Sequence, residues 1–274
     1  MGPTPIAEPP RIVFVSRRDG NFQLYAVALE GGQPVRLTQS EVDAYAPECS
    51  PDGRRIVYWV YDPTASPTNM LWIMRSDASE PKGFGPGAGR KSWSPDGSQI
   101  TFNLPWEGDF EIVSVEMQQG QLTRLTTDPA SDTMPDWSPD GTTIAFTSFR
   151  DGGTPHIYLM AADGVDQRRI TNRAMGEYGP AWSPDGKKIA FFAGLSDVNN
   201  QLYVVNLDGT GLRQLSDNPG VNDNPAWSPD GEWIAFSSNR NTGDREIYLI
   251  HPDGTGLRRL THSPGDDLTP AWCP

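Results

Sequence analysis

The pentapeptide Trp137-Ser138-Pro139-Asp140-Gly141 recurs with little change along most of this chain. Other copies begin at Trp93, Trp182 and Trp227, a variant runs from Cys49 to Gly53, and a truncated copy is Trp272-Cys273-Pro274. The serine position of this motif returns every 44 or 45 residues. A fixed period of this size is typical of repeat proteins such as β-propellers.

Each period contains four short segments with β-type patterning. In the fifth repeat these segments are residues 180–183, 188–192, 201–205 and 212–216. Pro-Asp-Gly separates the first segment from the second, and Asp-Gly separates the third from the fourth. Both combinations favour tight hairpin turns, because Asp bonds to the local backbone and Gly accepts positive φ. Four strands per repeat predict a propeller blade.

The two ends of the chain complete one repeat between them. Residues 11–38 supply strands two, three and four, whereas residues 269–272 supply only a strand one. We therefore predict an all-β, six-bladed propeller that these two segments close. The repeated tryptophan of strand one is predicted to pack between neighbouring blades, since a large aromatic residue at every repeat indicates core.

Composition narrows the function classes. The chain has 274 residues and a net charge of -13. An acidic protein is a poor match for nucleic acid, which requires a basic face. No stretch approaches the roughly 20 apolar residues of a membrane helix, so we expect no membrane insertion.

Residues 1–10 contain four prolines and are interpreted as a linker. Residues 11–274 are predicted to form a single domain, and we expect a monomer.

The sequence contains two cysteines, Cys49 and Cys273. Neither belongs to a metal-type Cys-x-x-Cys pair. We expect buried free thiols. A disulfide is the alternative, because both residues fall on first strands of neighbouring blades.

The repeat resembles the WD-like repeats of the TolB C-terminal propeller. The matching elements are Pro-x-Trp-Ser-Pro-Asp-Gly, Ile-Ala-Phe, Ile-Tyr, Asp-Gly and Arg-Leu-Thr, and they extend over residues 11–274. The resemblance implies a bacterial, periplasmic or extracellular protein, since TolB-like proteins are periplasmic adaptors that bind a lipoprotein partner. Related propellers occur in proteases and on receptor kinases, and one relative is a metal-dependent lyase acting on pectate fragments.

Acidic residues precede strand one in five of the six repeats. They are Asp43, Asp132, Glu177, Asp223 and Asp267, whereas the third repeat has Arg90 and Lys91. We expect these carboxylates to surround the mouth of the central channel and to attract a cation or a basic segment. The alternative is that they pair with arginines at the end of strand two, namely Arg18, Arg150 and Arg240. Calcium is the metal that such oxygen ligands favour, but the spacing matches no calcium loop, so we assign no metal and no cofactor.

Blades two and three depart from the repeat. The loop at residues 61–69 is long, and residues 82–89 replace the usual Arg-Leu-Thr of strand four. Four aromatic residues, Trp59, Tyr61, Trp106 and Phe110, do not follow the repeat. Of these we take Tyr61 and Trp106 as candidate contacts for a peptide or sugar. The alternative is local packing that supports an irregular blade.

Nothing in the sequence indicates catalysis. It contains no Gly-x-Ser-x-Gly motif, and its three histidines are dispersed. We therefore predict a non-catalytic scaffold that binds a protein or peptide through its variable loops. Two alternatives remain open: an extracytoplasmic sensor or targeting domain of a larger receptor kinase or protease, and a hydrolase or lyase acting on polysaccharide.

Overall fold

The computed structural model describes residues 11–194, 199–241 and 243–274. These residues form six antiparallel sheets of four strands each, arranged as a propeller. The proline-rich segment 1–10, which the sequence assigns to a linker, lies outside the described residues. In the described ranges we find no helix with the length and apolar character needed to cross a bilayer.

The strand bounds are as follows, blade by blade and from the channel outwards. Blade 1 contains β24 (Asp267–Cys273), β1 (Arg11–Ser16), β2 (Gln23–Ala28) and β3 (Val35–Arg36). Blade 2 contains β4 (Asp43–Cys49), β5 (Arg55–Tyr61), β6 (Asn69–Arg75) and β7 (Lys82–Pro86). Blade 3 contains β8 (Ala88–Trp93), β9 (Gln99–Trp106), β10 (Asp109–Glu116) and β11 (Leu122–Arg124). Blade 4 contains β12 (Asp132–Trp137), β13 (Thr143–Ser148), β14 (His156–Ala161) and β15 (Arg168–Arg169). Blade 5 contains β16 (Gly176–Trp182), β17 (Lys188–Gly194), β18 (Asn200–Asn206) and β19 (Arg213–Gln214). Blade 6 contains β20 (Asn222–Trp227), β21 (Ile234–Ser238), β22 (Glu246–Ile250) and β23 (Arg258–Arg259).

The chain ends close the ring as predicted. β24 pairs with β1, and Ile12 lies opposite Trp272 in this ladder. The resulting strand order of blade 1 is β24-β1-β2-β3, so the last strand of the chain is innermost. Closure in this manner removes the exposed sheet edges that an open array would leave.

The Ser-Pro-Asp-Gly motif forms a self-contained turn. In blade 4 the Ser138 hydroxyl donates to Asp140 Oδ1 over 2.6 Å and accepts from the Thr143 amide over 3.0 Å. Gly141 adopts φ of 71°, which only glycine takes without steric cost. The same hydroxyl–carboxylate contact recurs at Ser50, Ser94, Ser183 and Ser228. The serine and aspartate of this motif are therefore structural.

The strand-one tryptophans connect neighbouring blades. The indole Nε1 of Trp182 donates to the carbonyl oxygen of Asp136 on the preceding blade, over 3.1 Å. Trp227 and Trp272 make the equivalent bond over 3.1 and 3.0 Å, and Trp93 over 3.4 Å. Apolar packing follows the same plan, because each of the six core clusters combines residues of two adjacent blades.

The expectation of free thiols is wrong. Cys49 and Cys273 are disulfide-bonded, with their Cα atoms 5.3 Å apart. This separation lies within the usual range for a disulfide. The two residues come together because β24 and β4 are the innermost strands of adjacent blades. The bond therefore joins the strand that closes the ring to the next blade.

Candidate functional site

The two faces of the ring differ in what they present. We call the surface formed by the Ser-Pro-Asp-Gly turns and the strand-three-to-four turns the turn face. The opposite surface, formed by the strand-two-to-three loops and the connections between blades, is the loop face. Because the turns repeat and the loops vary, the loop face is the candidate binding surface.

A cavity of about 740 Å³ opens on the loop face between blades 3, 4 and 5. Phe110, Phe149 and Tyr178 contribute aromatic side chains to its wall. Phe110 is 40% exposed, and the rings of Phe149 and Tyr178 meet edge to face with centroids 6.3 Å apart. Arg90 and Arg150 add two positive charges and Asp109 adds one negative charge. Exposed aromatic rings with a few polar groups around them are typical of sites that anchor a partner side chain.

Arg90 spans the central channel beneath this cavity. It extends from blade 3 and donates from Nη1 to the carbonyl of Gly179, over 3.2 Å, and from Nη2 to that of Pro225, over 2.7 Å. A Cβ at Gly179 would approach Arg90 Nη1 to 3.2 Å and Phe192 to 2.7 Å. Gly179 also has φ of 59°, so glycine is favoured here mainly by the backbone conformation and the Phe192 ring, and it leaves room for the arginine.

Charged side chains surround Arg90 in the channel: Lys91 is buried, and Glu48 and Asp136 are half-buried. Burial raises the pKa of Glu48, and the nearby carboxylate of Asp136 raises it further, whereas Arg90 and Lys91 oppose this shift. Burial lowers the pKa of Lys91, although Glu48 opposes that change. The Lys91 ammonium donates to the carbonyls of Ala46 and Gly89. Asp136 accepts the Trp182 amide over 2.7 Å. Opposite charges thus compensate one another inside the ring.

Three of the five predicted acids share one position, five residues before the motif tryptophan or its counterpart. Asp132, Glu177 and Asp267 all have fully buried side chains. Asp132 contacts Arg150 Nη2 at 2.8 Å, and Asp267 contacts Arg18 Nη2 at 3.0 Å. These are the arginine pairs that the alternative interpretation expects.

The arginine pairs belong to a repeated arrangement. In blade 4, Arg150 Nε also donates to Ser148 Oγ over 2.7 Å, and its guanidinium lies 4.8 Å from the centroid of the Tyr158 ring. Blade 6 repeats this pattern with Arg240, although its partner at the acidic position is Asn222 rather than Asp223. In spite of Arg150, burial raises the pKa of Asp132 to about 6. Glu177 instead meets His156 of the preceding blade, with 2.7 Å between Oε2 and Nδ1.

The other two predicted acids occupy different positions on strand one. Asp43 accepts the Phe22 amide and the Tyr45 hydroxyl, both over 2.9 Å. Asp223 lies 3.2 Å from Arg245 Nη1, and burial raises its pKa to about 6. The five acids therefore do not form one ring at a common register. Their contribution to binding stays a prediction.

The two predicted aromatic residues lie apart from the cavity. Tyr61 is 41% exposed at the end of β5, opposite Asp43 in the ladder. Trp106 ends β9, and the guanidinium of Arg124 lies 5.3 Å from its ring centroid. Neither lines the cavity. Their role as contacts for a peptide or sugar is untested.

Sequence reasoning missed most of the cavity. Phe149 and Tyr178 match no irregularity of the repeat, so no signal singled them out. Arg90 and Lys91 were detectable from the sequence. In the other complete motifs a proline lies two positions before the tryptophan, and Lys91 takes the place of that proline while Arg90 takes the place of the residue before it. In the described part of the chain, no group of three or more His, Cys, Asp or Glu side chains is arranged to hold a metal ion.

The closed ring of four-stranded blades, with a repeat-specific turn and a variable loop face, defines a six-bladed β-propeller. The chain belongs to the TolB β-propeller domain family, whose model matches residues 46–194 and 172–274. The resemblance found in the sequence is thereby confirmed.

Two curated relatives and two solved structures show the extent of the likeness. The chain is 33% identical over 152 residues to a TolB homologue of Chlorobium luteolum, covering 54% of this chain and 34% of that protein. It is 30% identical over 158 residues to the Tol-Pal system protein TolB of Bordetella pertussis, covering 57% of this chain and 36% of that protein. It thus spans about a third of the length of these relatives.

Among solved structures, TolB from Acinetobacter baumannii superposes with a TM-score of 0.85 at 24% identity, covering 96% of this chain and 66% of that one. Oligogalacturonate lyase from Vibrio parahaemolyticus superposes with a TM-score of 0.61 at 17% identity, covering 91% of this chain and 74% of that one. At these identities the superpositions support the fold alone.

Proposed function

We propose that this protein is a non-catalytic binding module that docks a protein or peptide partner on its loop face. The observation that carries the proposal is the cavity of about 740 Å³ with Phe110, Phe149 and Tyr178 on its wall. Partly exposed aromatic rings on a rigid frame lose little conformational entropy on binding, so they serve well as anchors. A partner would insert an apolar side chain between these rings and place polar groups near Arg90 and Asp109.

The proposal extends to where the protein works. The Cys49–Cys273 disulfide supports a location outside the cytoplasm, because disulfides persist in oxidising compartments such as the periplasm. Membership of the TolB propeller family is consistent with this location. We propose a monomer that acts in the periplasm or outside the cell, whether alone or as a sensor or targeting domain of a larger protein.

Peptide selection tests the binding proposal. Random 12-residue peptides displayed on phage are selected against the wild-type protein, and enriched sequences are synthesised and titrated. Phe110→Ala removes an exposed ring of the cavity and should weaken these peptides at least about tenfold. Leu122→Ala is the matched control, because Leu122 lies on the same blade, is 39% exposed and does not line the cavity. Peptides that bind both variants equally, or no enrichment at all, would contradict the proposal.

A second candidate is action on polysaccharide, which the sequence leaves open and which a protein of the same propeller fold, named oligogalacturonate lyase, brings into consideration here. Incubation with oligogalacturonate, with and without manganese, distinguishes the two functions. Product that accumulates with wild-type protein and is lost in Asp109→Asn would overturn the non-catalytic proposal.

A further inference from the structure

A cleft on the turn face of blade 2 concentrates positive charge in an otherwise acidic protein. It has a volume of about 490 Å³ and is lined by Arg54, Arg55, Arg75, Ser76 and Asp77. All three arginines are exposed. A fourth, Arg11 of blade 1, donates from Nη2 to the carbonyl oxygen of Ser76. The cleft therefore gathers guanidinium groups from two blades while the whole chain carries a net charge of -13.

Two of these arginines lie directly opposite each other in the sheet. Arg55 of β5 pairs with Arg75 of β6 in the cross-strand ladder. Like charges at directly opposite positions destabilise a sheet. The other blades avoid this arrangement at the same position, at the start of strand two and the end of strand three. Their pairs are Arg11 with Ala28, Gln99 with Glu116, Thr143 with Ala161, and Lys188 with Asn206, and in blade 6 the tilted rings of Trp233 and His251 meet with centroids 3.8 Å apart.

Local carboxylates compensate these arginines incompletely. Arg75 Nε meets Glu80 Oε1 at 3.2 Å, but both side chains are more than half exposed, and such pairs contribute little. Asp77 Oδ1 accepts the amide and hydroxyl of Ser79, at 2.9 and 2.5 Å. Within the described residues, no ion pair joins Arg54 or Arg55 to a carboxylate.

The carboxylate nearest in sequence to Arg54 and Arg55, that of Asp52, already accepts hydrogen bonds within its own turn. Asp52 Oδ1 accepts the Ser50 hydroxyl at 2.6 Å and the Arg54 amide at 3.1 Å. It thus completes the turn. The Ser50 hydrogen bond lowers the pKa of the Asp52 carboxyl and the charges of Arg54 and Arg55 lower it further, but among the described residues neither guanidinium donates a hydrogen bond to it. Their donors remain available to an added anion.

We propose that this cleft binds a phosphoryl group. The guanidinium fork matches the oxygen geometry of phosphate, and several forks around one site favour a di- or polyvalent anion. Binding such an anion would relieve the repulsion between Arg55 and Arg75, which accounts for a pair that the five other blades avoid. The cleft lies on the face opposite the aromatic cavity, so this site is independent of the partner site proposed above. The phosphoryl group is carried either by a soluble phosphate ester or by a lipid headgroup.

Calorimetric titration with pyrophosphate at low ionic strength tests the site. Binding by the wild-type protein should weaken at least about tenfold in Arg54→Gln/Arg55→Gln, because each charge-assisted bond lost contributes on this scale. Lys187→Gln/Lys188→Gln is the matched control, since it removes two charges from the same turn positions of blade 5. It should leave the affinity within about twofold of wild type. Absence of pyrophosphate binding together with absence of vesicle binding, or equal weakening in both variants, would overturn the proposal.

Sedimentation with lipid vesicles identifies the source of the phosphoryl group. Vesicles containing phosphatidylglycerol in phosphatidylcholine are compared with pure phosphatidylcholine. Retention on the anionic vesicles that Arg54→Gln/Arg55→Gln abolishes supports a lipid headgroup. Pyrophosphate binding without retention supports a soluble phosphate ester. Retention that persists in this double variant would contradict a role for the cleft in membrane contact.

Discussion

Arg90 Nη2 lies 2.7 Å from the carbonyl oxygen of Pro225, which belongs to the blade directly opposite across the channel. Blades of a propeller normally contact only their two neighbours around the ring. This side chain instead connects blade 3 with blades 5 and 6, and its charge acts on Glu48 and Asp136 in the channel. It therefore contributes both to the rigidity of the ring and to the floor of the aromatic cavity.

Removal of Arg90 should destabilise the protein. Arg90→Met deletes two hydrogen bonds to carbonyls and withdraws the positive charge that partly offsets Glu48 and Asp136. We expect a loss of about 2–4 kcal/mol in the free energy of unfolding, since removing one member of a buried charge group leaves the others uncompensated. Urea denaturation at pH 7.5 measures it. Arg213→Met, at an exposed arginine of β19, is the control and should change stability little. Equal losses of stability in Arg90→Met and Arg213→Met would contradict this role for Arg90.

Asp223 should make stability depend on pH. Burial raises its pKa to about 6, and Asp266 adds to this effect, whereas Arg245 and Asn224 oppose it. Since the pKa in the unfolded chain is near 3.9, the folded protein binds the extra proton between about pH 4 and 6. The contribution of this group to stability is therefore fully present below about pH 4 and is lost as pH rises through 6.

Asp223→Asn should remove that dependence. Relative to wild type, the variant should gain about 1–3 kcal/mol between pH 4.5 and pH 7.5, measured by urea denaturation at both values. Asp185→Asn is the control, because hydrogen bonding from Ser183 lowers the pKa of that exposed carboxyl and places its titration below this window. Its difference from wild type should be the same at both pH values. A constant difference for Asp223→Asn as well would show that Asp223 titrates normally.

The tryptophans that donate an indole hydrogen bond to the preceding blade should lose more stability on substitution by phenylalanine than the one that does not. Trp182→Phe removes the bond to the Asp136 carbonyl, whereas the buried Nε1 of Trp137 has no acceptor among the described residues. Both indoles are about equally buried, so the loss of apolar contact should be similar. We expect Trp182→Phe to cost about 1–2 kcal/mol more than Trp137→Phe in thermal or urea unfolding. Equal losses would mean that packing alone explains the repeated tryptophan.

The sequence predicts the frame of this protein better than its site. A period of 44 or 45 residues follows directly from blade geometry, so the blade number, the turns and the closure by β24 were all predictable from residue spacing. The acids were harder to place, because a strand residue one position away points to the opposite side of the sheet. Asp223 and Asn222 illustrate this: the asparagine, not the aspartate, takes the position that binds Arg240.

The cavity could not be predicted, because it depends on contacts between residues far apart in sequence. Phe110, Phe149 and Tyr178 come from three blades, and nothing in their local sequence indicates that they meet. The disulfide was uncertain for a related reason. Its two cysteines occupy a tryptophan slot and a serine slot, and only the curvature of the closed ring brings their Cα atoms to 5.3 Å.

The Cys49–Cys273 disulfide should stabilise the closed ring. Cys49→Ser/Cys273→Ser removes a link between the closing strand and blade 2 and should lower the free energy of unfolding by about 2–4 kcal/mol. A phosphine reductant should lower the melting temperature of the wild type and leave that of the double variant unchanged, which separates loss of the bond from the effect of the serines. Thiol titration of the denatured wild type without reductant should detect no free thiol. Two reactive thiols in that assay would contradict the pairing and remove the support that the disulfide gives to an oxidising compartment.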